Sequence, residues 1–169
     1  AGTSTSCIAF GNDGGGSKTQ VESWNGSSWT EVADISARTS PGGSGTSTAA
    51  LCIGGHDTVA LCETWNGSTW TETADLTTGR GRAASAGNGT TTATTFAGGQ
   101  VYPTIYAITE TWNGSAWTEV GDMVQARNFL SGTGTQTAML AIGGFTGTSE
   151  PTTLTDLTES WNGTSWTEL

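Results

Sequence analysis

Basic residues are nearly missing from this sequence. Only five of its 169 residues are lysine or arginine, against fifteen aspartates and glutamates, for a net charge of −10. No basic patch can be assembled to collect phosphates, so nucleic acid is not expected as a partner. Histidine is scarcer still: His56 stands alone, and a single loop histidine is an ordinary solvated residue before it is a ligand. The three cysteines form no C-x-x-C or Cys/His cluster, which removes the usual zinc sites. Cys52 and Cys62 fall on consecutive expected strands, as a cross-strand bridge or as two buried thiols. The demanding geometry of a bridge favours the thiols, and Cys7 has no evident partner. No run approaches eighteen apolar residues, so no membrane-inserted helix is expected. Helical periodicity is absent too. Abundant Gly, Ser and Thr instead indicate an all-β chain with many tight turns. No leader-peptide pattern is read at the start of the given sequence, which has no initiator Met. The chain opens at Ala1 in mid-repeat, as expected of a processed protein or a piece of a longer one.

What is present is one phrase, said four times. Residues 22–31, 63–72, 110–119 and 159–168 each read E-[ST]-W-N-G-[ST]-x-W-T-E, and they contain all eight tryptophans. Asn-Gly between β-favouring runs predicts a two-residue hairpin turn. On that register Trp24 faces Ser27 and Glu22 faces Trp29. Side chains alternate along a strand, so Glu22, Trp24 and Trp29 share one face. The same holds for Glu63, Trp65 and Trp70, for Glu110, Trp112 and Trp117, and for Glu159, Trp161 and Trp166. A carboxylate between indoles needs a partner once it is buried. Each of the first three hairpins is followed by Asp and an apolar residue (Asp34-Ile35, Asp75-Leu76, Asp122-Met123) and then by arginine. The candidates are Arg38, then Arg80 or Arg82, then Arg127. They are expected to bridge neighbouring repeats by meeting the repeat glutamate or backbone carbonyls.

The hairpins lie 41, 47 and 49 residues apart (22 to 63, 63 to 110, 110 to 159). The difference is taken up after a glycine pair, at residues 56–58, 100–105 and 145–153, as expected when insertions map to one face. Each unit accommodates four strands. The whole of 1–169 then reads as one domain with repeats at about 1–35, 36–76, 77–123 and 124–169. The first enters at its second strand, residues 6–11, and lacks an innermost one.

Gly-Gly closing the second strand, Glu in the third, Trp in the fourth and Arg after a short link resemble the kelch repeat. In detail the W-N-G-x-x-W-T-E wording is similar to kelch-like repeats of marine tailed-phage structural proteins and environmental bacterial surface proteins. Two departures are visible: Gly11-Asn12 replaces the glycine pair in the first repeat, and Trp-Asn stands where kelch has Tyr-Asp. The resemblance implies a β-propeller of four-stranded antiparallel blades. It would hold four repeats here, the first incomplete, within a larger ring or closed by another copy.

Enzymatic activity is not expected. The copper site of kelch-bearing oxidases uses Tyr and His ligands, which Tyr102, Tyr106 and one histidine cannot supply. The repeated carboxylates belong to the packing pattern, and no acid pair breaks it. Asn25, Asn66, Asn88, Asn113 and Asn162 satisfy N-x-[ST], although four of them are already demanded by the turn. Recognition is therefore assigned to the segments that differ between repeats, with His56, Tyr102, Tyr106 and Phe145 as candidate contacts. No cofactor is expected. The expected partners are other protein subunits or the rest of a longer chain, and glycans. The expected role is an exposed virion component (decoration, fibre or appendage), and otherwise a lectin-like protein of a bacterial surface, so the location is the virion or the cell exterior.

Overall fold

The computed structural model describes residues 1–11, 18–56, 58–87, 90–147 and 153–169. Asn88 and parts of three variable segments (12–17, 57 and 148–152) lie outside the described residues. Every regular element among the described residues is a strand. The first repeat gives β1 (Cys7–Phe10), β2 (Val21–Trp24) and β3 (Trp29–Glu31). The second gives β4 (Gly42–Gly45), β5 (Ala50–Ile53), β6 (Cys62–Trp65) and β7 (Trp70–Thr73). The third gives β8 (Ala84–Ala86), β9 (Thr94–Ala97), a small hairpin β10 (Gln100–Val101) and β11 (Thr104–Ile105), then β12 (Thr109–Trp112) and β13 (Trp117–Glu119). The fourth gives β14 (Ser131–Thr135), β15 (Ala138–Ile142), β16 (Thr158–Trp161) and β17 (Trp166–Glu168). Each repeat is its own antiparallel sheet, ordered β1-β2-β3, β4-β5-β6-β7, β8-β9-β12-β13 and β14-β15-β16-β17.

The edge strands β4 and β14 each pack beside the edge strand β8, and crowding explains the composition of the three, Gly, Ala, Ser and Thr. A Cβ on Gly42 would meet the Phe96 ring at 2.4 Å, and one on Gly132 would meet Met139 at 2.7 Å. The first repeat does not lack this strand altogether. The Ala1 ammonium donates to the Ile8 carbonyl at 2.7 Å, the Ile8 N–H returns a bond to the Ala1 carbonyl at 2.8 Å, and Gly2 bridges to Cys7. Ala1 and Gly2 therefore occupy the place of Ser44 and Gly45. Residues of all four repeats, Gly2, Gly43, Ser85 and Gly132 among them, line one cavity of about 220 Å³.

The hairpin register differs from expectation. Trp24 pairs with Trp29, Ser23 with Thr30 and Glu22 with Glu31, and the other three hairpins repeat this. The turn holds four residues rather than two. Of the Asn-Gly pair only glycine has positive φ (96°, 95°, 96° and 91° at Gly26, Gly67, Gly114 and Gly163). Asn acts through its side chain. Asn25 Oδ1 accepts from the N–H groups of Ser27 and Ser28 and from the Ser27 hydroxyl. A side chain closing its own turn is what Asn offers besides a tolerance of positive φ. The indoles consequently meet directly across the ladder, with ring centroids 5.3–5.5 Å apart in all four hairpins. Glu, first Trp and second Trp still share a face, because the two-residue alternation survives the shift.

That face looks at the preceding repeat. Three apolar clusters fill the spaces between consecutive sheets: Ile8, Val21 and Ile35 against Ala50, Cys52 and Trp65; Leu51, Ile53, Cys62 and Leu76 against Phe96, Trp112 and Trp117; and Ala97 and Met123 against Met139, Ala141, Trp161 and Trp166. The apolar residue after each Asp (Ile35, Leu76, Met123) is buried in these layers. Cys52 pairs with Glu63, while Cys62 pairs with Ile53. The two thiols thus point to opposite faces of one sheet and are free and buried.

Candidate functional site

Three repeated ion pairs are spent on the scaffold. Arg38 meets Glu63, Arg80 meets Glu110 at 2.5 Å and Arg127 meets Glu159 at 2.9 Å. All three arginines are buried at 0–1% exposure, their glutamates at 0–6%. Each carboxylate also takes backbone N–H groups of the incoming link: Ser36 on Glu63, Thr77 on Glu110, Val124 on Glu159. Each guanidinium further donates to carbonyls of its own sheet, such as Leu61, Gly98 and Gly143. The main chain of the same residue holds the previous repeat. Gly55 N–H donates to Arg80 O and Gly99 N–H donates to Arg127 O, at 3.1 and 2.8 Å. One residue thus ties two sheets together. The third-repeat ambiguity resolves to Arg80; Arg82 does not make this contact.

The first repeat departs from the pattern. Glu22 is exposed and Trp29 is 48% exposed, because no described sheet packs on that face. Glu22, Trp24 and Trp29 are therefore corrected from packing residues to the surface of an end face.

The residue two places beyond each of these arginines has positive φ without being glycine: Ser40 at 50°, Arg82 at 57° and Phe129 at 51°. Such conformations are uncommon for L residues and collect at functional sites. The three are joined head to tail, since Arg82 N–H donates to Ser40 O and Phe129 N–H donates to Arg82 O. The backbone so traced rims one mouth, a depression of about 340 Å³ lined by Phe10, Ser40, Pro41, Arg82, Phe129 and Leu130 among others. The Arg82 guanidinium lies 4.4 Å from the Phe129 ring centroid. The mouth therefore combines aromatic surface with one cation, at a size at the lower end for ligand pockets.

The variable loops gather at this same mouth. His56 N–H bonds to Thr39 O, Gln100 bridges to Gly81, and Phe145 bridges to Asn128. Phe145 meets Phe129 edge to face at 5.7 Å, so it joins the site. Tyr102 stands at the tip of the β10–β11 hairpin and is 62% exposed, while Tyr106 is half-buried with its N–H on Gly99 O. The Asn-Gly turns lie at the opposite edge, where Trp24 Nε1 reaches Ser4 O and Trp65 Nε1 reaches Ser47 O. Sequence reasoning missed Ser40 and Phe129 and gave Arg82 a packing role. The constant offset of two residues from each clamp arginine was the available signal. No protein-family model matches this sequence, and no curated protein proves similar to it.

Proposed function

We propose that the chain is a non-enzymatic interaction module, a β-propeller-type array of kelch-like blades serving as an exposed component of a bacteriophage virion. One observation carries the reading. Three of the repeated glutamates, Glu63, Glu110 and Glu159, and the arginines that meet them are consumed by internal clamps, whereas the loop-bearing mouth places Ser, Arg and Phe at one and the same repeat position. Side chains that vary on an invariant backbone rim are what a recognition surface requires of a repeat scaffold. Four sheets whose inner strands line a common cavity support the radial arrangement. A partner protein would seat its own apolar and acidic groups against Phe129, Phe145 and Arg82. The test is capture of capsid or tail proteins from a phage lysate by the purified protein, repeated with Arg82→Ala and Phe129→Ser. Loss of capture with both variants supports the reading, and undiminished capture refutes the assignment to this mouth.

A second reading, a lectin-like bacterial surface protein, is favoured by the exposed Tyr102 ring at the hairpin tip, a surface on which a sugar can stack. Specific binding on a glycan array that disappears with Tyr102→Ala would select it.

A further inference from the structure

The two ends of the sheet array are the two halves of an interface that the molecule already builds three times. At one end the first repeat presents Trp24 and Trp29, with Cys7 and Ala9 beside them and none of these buried. Their equivalents in the next three repeats (Trp65, Trp112 and Trp161 for the first indole) are 4%, 1% and 2% exposed, each sunk against the repeat before it. At the other end the fourth repeat presents Leu140 and Ile142, the latter 41% exposed. The matching positions in the second repeat, Leu51 and Ile53, are fully buried beneath Phe96, Trp112 and Trp117. This end face also carries a hollow of about 260 Å³, lined by Thr133, Leu140, Ser160 and Trp161 among others. One end thus offers the indole knobs and the other the aliphatic seat.

We infer that the occupant of each end face is a second copy of this chain, associated head to tail, with the Trp24/Trp29 face of one copy on the Leu140/Ile142 face of the next. The contact is heterologous, so it either closes a ring of copies or extends a file of them. Continuity with the three internal interfaces argues for this occupant, because the face offered and the face required use corresponding positions of one repeat. The contact joins separate copies, so its extent depends on protein concentration.

Sedimentation of the whole chain across a concentration series tests this, using Trp29→Glu and Leu140→Glu/Ile142→Glu as face-specific blocks. Circular dichroism first checks that both retain the strand content of the parent, as expected for positions on open faces. The parent is expected to shift from monomer to larger species as concentration rises, and each variant alone to stay monomeric. An equimolar mixture of the two variants is expected to give a dimer, because one supplies an intact seat and the other intact knobs. A parent that remains monomeric at every concentration would overturn the proposal and leave these faces to further repeats of a longer polypeptide. A Trp29→Glu variant that still assembles, or a mixture that stays monomeric, would overturn it equally.

Discussion

Replacing Arg127 with Met removes the clamp of the fourth repeat while keeping the unbranched apolar stem of the side chain. The guanidinium donates to the carbonyls of Gly143 and Leu157, both at 2.8 Å, and to Glu159 at 2.9 Å. In its absence Glu159, 1% exposed, keeps the Val124 N–H at 2.6 Å and a longer bond from Gln125, but no counter-charge. Removing one partner of a buried ion pair costs about 3–5 kcal/mol, mostly from the charge left behind. Charge-assisted hydrogen bonds at about 1.5–3 kcal/mol each give a total of the same order. Against a whole-protein stability of about 5–15 kcal/mol the loss is severe. For a chain of this size it lowers Tm by on the order of 10 °C. Urea melts followed by tryptophan fluorescence report it directly, since Trp161 and Trp166 pack in the adjoining layer. The double variant Arg127→Met/Glu159→Leu should recover part of the deficit, because apolar replacement of both partners is far cheaper than orphaning one. A loss in Arg127→Met below about 1 kcal/mol, the worth of an exposed pair, would show that the clamp does not hold the sheets together.

Position in the array should outweigh residue type for the tryptophans: Trp161→Ala costs about 3–5 kcal/mol, whereas Trp29→Ala costs under about 1 kcal/mol in the monomer by the same denaturation assay. Gly114→Ala, at φ 96°, should cost about 1 kcal/mol or more by straining the turn, and Asn113→Ala should weaken the same turn by removing the acceptor of the Ser115 and Ala116 N–H groups. Burial pushes the Cys52 thiol up to about 12 and the Cys62 thiol to about 11. The folded state therefore holds these protons more tightly than the unfolded chain, whose thiols titrate near 9. Their contribution is fully present below pH 9 and is lost between pH 9 and 12. Melting curves of Cys52→Ala/Cys62→Ala against the parent should show a shallower alkaline decline, and iodoacetamide at pH 8 should modify Cys7 ahead of the other two.

The parts of this molecule legible in its sequence are those fixed by period and repetition. Alternation placed Glu63, Trp65 and Trp70 on one face, and recurrence singled out the arginines that meet the glutamates. The hairpin register was not legible, because Asn-Gly serves two turn chemistries. It supplies two positive-φ residues to a short turn, or a side-chain acceptor plus one glycine to a longer one, and the flanking indoles fit both. Arg80 and Arg82 were indistinguishable because each precedes a small-residue strand. Only the packing decides, since Arg80 can reach Glu110 and the carbonyls of Phe96 and Gly98. The mouth was hidden for another reason. Ser40, Arg82 and Phe129 share no side-chain chemistry, and what unites them is a backbone conformation that no composition or hydropathy pattern encodes.

The clamp arginine, with its side chain in one sheet and its carbonyl on the sheet before, has a consequence for how such a chain can evolve. Every segment from one arginine to the next carries both its own lock and the keyhole for its successor. Duplication or loss of a whole segment at the gene level, for instance 80–126, restores the same junction on either side and asks for no compensating change elsewhere. The length of the array is thereby free to drift while its fasteners stay fixed, and novelty accumulates at the loops of one rim.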